Sequence, residues 1–263
     1  MYLITLVRMK GTIAILLSLW LSVGIISCLD EPEDALMIGA ASNLQFAMLK
    51  LADEFEESTG IQTQLLINSS GNLTAQIEQG LQLDVFVSAD MQYPMSLYRS
   101  GYGVDRPALY AYGELVIIGH DITEPDFDGM LDPEVDNVAI ANPKTAPYGR
   151  KAMLALENAG LWDTLQPKIV VGENVSHAHQ FVSSGAAAMG VVAKSLVIES
   201  GSSGIAGWTP IPDSLYNPIA QGMLIIKHDG YNEDHTNAFI EFMISDEAKS
   251  ILEHYGYRTA LGE

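Results

Sequence analysis

Four short stretches share one construction: an apolar run ends, small or hydroxyl-bearing residues follow, and a helical pattern begins. They are AASN at Ala40–Asn43, NSSGN at Asn68–Asn72, NPKTAPYG at Asn142–Gly149 and GENVS at Gly172–Ser176. The second opens INSSGNLTAQIEQG, Ile67–Gly80, which contains no Lys, Arg or His. A helix N-terminus presents unpaired N–H groups and the positive end of its dipole, so such turns bind an anion without any charged side chain. Ser and Asn are also the preferred N-caps, and for any single turn plain capping accounts for them. Four together weaken that reading without removing it. A cleft where several such ends converge would offer neutral donors to a small oxyanion stripped of water, and strand C-termini of α/β sheets are where ligands collect.

Other chemistry has less support. His177 and His179 stand two apart on a predicted helix and face different directions, which makes a poor metal pair and reads as solvated surface. A serine nucleophile lacks a G-x-S-x-G elbow, and no histidine lies near the glycine-rich serine turns. A hydrolase using Ser42 or Ser70 is therefore the weaker alternative. The tract EPDFDGMLDPEVD carries six acids but not the D-x-D-x-D-G spacing of a calcium loop, and reads as a solvated acidic connection.

The elements that must position the four turns are legible as an alternation of short apolar runs with helical patterns, which predicts an α/β fold with mainly parallel strands. ALMIGAAS is strand then turn. In NLQFAMLKLADEFEESTG, Leu44, Ala47, Met48, Leu51, Ala52 and Phe55 share one helical face, and the helix stops at Gly60. IQTQLLIN is a second strand, followed by a helix from Leu73 to Gln79 that stops at Gly80. LDVFVSAD and GELVIIGH are further strands. After the acidic connection the order repeats: strand NVAIANP, helix GRKAMLALENAG, strand PKIVVGE, helix NVSHAHQFVSSG and strand AAMGVVAK. QGMLIIKH and two closing helices end the chain. The repeated order predicts two lobes, residues 35–113 plus 222–263 and residues 114–221, with the chain crossing near Gly113 and returning near Gln221.

The 263 residues, 48% hydrophobic and 17% charged, are globular in composition and enough for two cores. Residues 1–27 differ: Arg8 and Lys10 are their only charges, and GTIAILLSLWLSVGIIS is an apolar run ending in small residues, an export signal. Cys28, the single cysteine, follows at once in IISC, which resembles a bacterial lipobox. The expectation is lipidation of Cys28 as the mature N-terminus, residues 28–34 serving as the linker to the anchor; simple cleavage and a retained helix are the alternatives. With no second cysteine the folded part has no disulfide. Loss of the leader leaves 11 basic against 33 acidic residues, which argues against nucleic acid as a partner.

The strings GAASNLQFAM, SSGNLTAQIEQGLQLDVFVSAD, NPKTAPYGRKAMLAL and SDEAKSILEHYGY resemble the periplasmic molybdate-binding proteins of ABC importers, from about Leu36 to the C-terminus. The resemblance implies the two-lobed periplasmic binding protein fold, each lobe a mainly parallel sheet flanked by helices, with a tetrahedral oxyanion in the interlobe cleft. It implies ligand contacts from the hydroxyls of Ser42 and Ser70 and the backbone N–H of Tyr148 and Val175, with Asn43 and Ala193 as additional positions. Many relatives have a tyrosine where this sequence has Ala193, so the group that donates there is left open: a backbone N–H, a water or the Tyr148 side chain. Asp84 and Asp90 become capping or hinge residues rather than an acid/base pair.

The resemblance further implies a non-enzyme without a cofactor, molybdenum being held only as molybdate, or tungsten as tungstate, through the same residues. It implies a monomer in the periplasm or on the outside of the cell envelope, tied to a membrane through Cys28 and delivering the anion to a permease and its ATPase. Sulfate or phosphate is the alternative ligand. A site made only of donors has no acceptor for a ligand O–H, which disfavours monohydrogen phosphate.

Overall fold

Runs of Val, Ile, Leu and Ala form ten strands in the computed structural model, which describes residues 35–198 and 204–259. They are β1 (Leu36–Ala41), β2 (Thr63–Asn68), β3 (Val85–Val87), β4 (Ala108–Gly113), β5 (Leu115–His120), β6 (Val138–Ala141), β7 (Ile169–Gly172), β8 (Met189–Ala193), β9 (Ile205–Pro210) and β10 (Ile219–Ile225). The export signal and Cys28 lie outside the described residues.

Two five-stranded sheets result, in the orders β2-β1-β3-β10-β4 and β7-β6-β8-β5-β9. Both are mixed. β1 pairs in parallel with β2 and β3, and β6 with β7 and β8, whereas β10 and β5 are antiparallel to both of their neighbours. The expectation of mainly parallel strands therefore holds for strand direction and not for pairing. The two reversed strands are the ones that bring the chain over from the other sheet: β5 follows β4 after Glu114 alone, and β10 follows β9. Parallel neighbours instead need a long crossover, here supplied by helices.

Helices cover the sheets with the faces their periodicity predicts. Gln45–Thr59 buries Ala47, Met48, Leu51, Ala52 and Phe55 and ends at Gly60, whose φ of 76° suits glycine. Phe55 meets Phe239 of the Glu233–Met243 helix edge to face at 5.2 Å. The helix expected from Leu73 begins three residues earlier, at Ser70, capped by Ser69. The acidic connection holds a short helix, Phe127–Met130, capped by the Asp126 carboxylate, which accepts from Gly129 N at 2.7 Å.

Where the chain first passes between sheets, Glu114 is held by Lys194 at 2.8 Å and by Arg258 Nε at 3.0 Å. Gly113 beside it is required: a Cβ there would collide with the Tyr148 hydroxyl and with Gln221 Nε2. Asp84 accepts from Met37 N at 2.7 Å and pairs with His228 at 2.9 Å, and Asp90 accepts from Tyr93 N at 3.1 Å. Both carboxylates are thus engaged in holding turns.

Candidate functional site

The four strand-to-helix turns meet around a small cavity of about 10 Å3. Ser42, Asn43, Ser70, Tyr148 and Val175 all line it, and Ser69, Ala89, Ala146 and Pro147 lie in its wall. No wall residue carries a charge. Its volume is far below the roughly 300–1,000 Å3 of pockets for drug-sized ligands, so it excludes a sugar or peptide.

Each turn presents its donor for a local reason. Ser42 starts the 3-10 turn Ser42–Leu44 directly after β1, and its hydroxyl bonds to none of the described residues. Ser70 is the first residue of the Ser70–Glu78 helix; its Oγ accepts from Ala89 N at 3.0 Å, which leaves its proton to give. The helix Pro147–Asn158 opens with proline, which has no N–H, so Tyr148 supplies the first backbone donor of that end. Val175 opens the helix Val175–Ser183, whose N-cap Asn174 accepts from His177 N at 3.0 Å. The backbone N–H groups of Ser70, Tyr148 and Val175 donate to none of the described residues. Three helix N-termini and two serine hydroxyls thus surround one small space, an arrangement that stabilises negative charge.

Contacts between the two sheets' elements close the cavity. Gly71 N donates to Thr145 O at 2.8 Å, Ser176 Oγ to Ser42 O at 2.8 Å, and Ser195 Oγ to Asn43 O at 2.8 Å. Just outside the wall, Arg150 pairs with Asp90 at 2.6 Å and donates to the Tyr93 hydroxyl at 3.0 Å. The Arg150 guanidinium is therefore already paired.

Ala193 stands apart from the other candidates. It is fully buried on β8 opposite Leu115 and is not in the cavity wall. Tyr148 does line the cavity, but its hydroxyl is engaged by Gln221 Nε2 at 3.1 Å. Burial raises its pKa well above the usual phenol value, so the hydroxyl stays protonated.

Sequence reasoning missed Ser69 as the cap and the buried polar group behind Asn43, in which Asn43 Nδ2 donates to Gln221 Oε1 at 2.9 Å and to the Tyr257 hydroxyl at 2.8 Å. One signal was available: a glutamine at the head of the apolar run QGMLIIKH. His179 corrects the solvated-surface expectation. It is half-buried, its Nε2 has no partner among the described residues, and burial lowers its pKa. With His177 it borders a wider open hollow beside the cavity.

Residues 36–258 match the family of bacterial extracellular solute-binding proteins. The chain is 36% identical over 221 residues to the molybdate-binding protein ModA of Rhodobacter capsulatus, covering 83% of this chain and 86% of that one. It is 28% identical to a putative ABC transporter substrate-binding lipoprotein of Bacillus subtilis, over 87% of this chain and 88% of the relative. Among solved structures it resembles the periplasmic molybdate-binding protein of Azotobacter vinelandii, with a TM-score of 0.80 and 30% identity over 87% of this chain and all of that one.

Proposed function

The chain belongs to the bacterial extracellular solute-binding proteins, and on that premise we propose that it captures molybdate or tungstate for an ABC importer and hands it to the permease, which an ATPase drives. The observation that carries this is the small neutral cavity where Ser42, Ser70, Tyr148 and Val175 converge. Both serine hydroxyls and the N–H groups of Ser70, Tyr148 and Val175 bind the anion, with Asn43 as an additional ligand. Charge-assisted hydrogen bonds of fixed geometry spread the dianion's charge, and the size of the cavity sets selectivity. Residues 35–113 plus 222–263 and residues 114–221 act as the two lobes that close on it. Relatives named for binding, rather than for catalysis, agree with a non-enzyme.

The protein works outside the cytoplasmic membrane as a monomer, anchored by lipid on Cys28. The lipoprotein relative supports the anchor. Mass spectrometry of membrane-extracted protein tests it: diacylglycerol on Cys28 is expected, and an unmodified cysteine removes the claim.

A thermal-shift panel of oxyanions tests the ligand. Anion at about 1,000 times Kd adds about 4.1 kcal/mol to apparent stability. Molybdate and tungstate should raise the melting temperature, with sulfate and phosphate giving no comparable shift. An equal shift with sulfate removes the molybdate reading.

A further inference from the structure

Arg150 stands two positions after Tyr148 on the helix Pro147–Asn158, in one proposed lobe, and makes three contacts to the other. Its Nη2 donates to Asp90 Oδ2 at 2.6 Å, its Nη1 donates to the Tyr93 hydroxyl at 3.0 Å, and its Cζ lies 5.0 Å from the centre of the Tyr93 ring. Asp90 is fixed on its own side: Oδ1 accepts from Tyr93 N at 3.1 Å, and its backbone N–H donates to Ser88 Oγ at 3.2 Å. Both ends of the pair adjoin the cavity. Asp90 follows Ala89, whose N–H is held by Ser70 Oγ, and Arg150 follows the turn that presents the Tyr148 N–H.

Arg258 also joins the two ranges, through Glu114 and Asp213. Glu114 lies at the crossing of the chain itself, where a hinged motion displaces the two sides least. Arg150 and Asp90 are 60 positions apart in sequence, and their pair spans the cleft. The two side chains are 28% and 15% exposed, so their attraction is screened less than that between surface charges. Parting of the lobes returns both charges to water and removes the Tyr93 contacts of Arg150. A contact made in only one of two states favours that state by its whole contribution.

One effect runs the other way. A carboxylate beside an anion site opposes binding through its field, and Asp90 stands one residue from Ala89 in the cavity wall. Its bond to Arg150 is the feature of this position that works in favour of capture.

We propose that Arg150 and Asp90 form a latch across the cleft. Both are positioning residues: neither donates to the anion, and the pair holds the lobes together and sets how slowly the anion leaves. This rests on the proposed capture of an anion between two lobes and deepens it.

Stopped-flow release of molybdate, loaded as the sodium salt, tests the latch by the sign of one substitution. Asp90→Asn keeps an oxygen for Tyr93 N and removes the charge that holds Arg150. Through the field alone, loss of a negative charge beside a dianion slows release. Loss of the latch speeds it, by roughly tenfold, with no comparable fall in the association rate. Release at the wild-type rate or slower overturns the inference and leaves the ligand reading intact. Arg150→Gln reads the same contact from the other lobe: it should also speed release, and the double variant should release no faster than the quicker single one, whereas multiplied effects overturn the pairing. Urea denaturation of the anion-free variants should match that of the wild type, and a matching loss of stability there would assign the pair to the fold and overturn the latch. Absence of molybdate binding by the wild-type protein overturns both readings.

Discussion

Ser42 and Ser70 place hydroxyls in the same cavity but differ in what else those hydroxyls do. The Ser42 hydroxyl has no partner among the described residues, whereas Ser70 Oγ also satisfies Ala89 N at 3.0 Å. Ser42→Ala should therefore cost only the ligand contact, about 1.5–3 kcal/mol or roughly tenfold to a hundredfold in molybdate affinity, with unchanged stability of the anion-free protein. Ser70→Ala should weaken binding by a similar factor and also strand a buried N–H, lowering anion-free stability by about 1–3 kcal/mol. Calorimetric titration beside urea denaturation separates the two, and equal stability losses in both variants would show that the Ser70–Ala89 bond contributes nothing. The turns that hold Ser42, Ser70 and Val175 were legible in the sequence because a strand, a hydroxyl or small residue and a helix start leave a local pattern, and the family resemblance singled out the residues within them. Gln221 was not, because its partner Asn43 is 178 positions away and a buried amide declares itself only through such partners.

Elements bring these residues together by approaching closely, and Gly71 marks the closest approach. It lies in the first turn of the Ser70–Glu78 helix, and a Cβ on it would stand 2.6 Å from the Tyr93 hydroxyl and 2.9 Å from Thr145 Cα, with the Thr145 carbonyl closer still. The same glycine donates its N–H to that carbonyl. Gly71→Ala should hold the two sheets' elements apart and weaken molybdate binding by the cost of an overpacked contact, about 1–3 kcal/mol or roughly fivefold to a hundredfold. Stopped-flow release of the anion should be faster by most of that factor; an unchanged release rate would place the closing contact elsewhere. The sequence announced the central strands, whose buried runs are continuous, as in VFV of β3 and VAIA of β6. It did not announce β4 and β9. Each lies at a sheet edge with one neighbour; β9 alternates half-buried with exposed residues and so has no continuous buried run, and β4, ALYAYG, mixes half-buried with buried positions.

At the scale of the whole molecule, net charge opposes capture. With 33 acidic residues against 13 basic ones, the protein repels a dianion at long range, and its neutral cavity does not compensate beyond contact distance. The association rate for molybdate should therefore rise with ionic strength as the Debye length shrinks from about 30 Å at 0.01 M salt to about 8 Å at 0.15 M. Stopped-flow measurement across that range checks the sign, and a falling rate would mean that local positive charge outweighs the net charge of the molecule. The path of the chain between the sheets has a further consequence. The second sheet is built from one uninterrupted stretch, β5 to β9, but the first needs β10 between β3 and β4. β4 is also bridged at Tyr112 to Arg258, next to the Tyr257 that supports Asn43. During synthesis and export the chain emerges from its N-terminus, so β4 waits for a neighbour until residue 225 has appeared, and Asn43 waits for support until residue 257 has. A chain that stopped before Tyr257 would keep most of its hydrophobic core and lose the group that supports Asn43 behind the cavity.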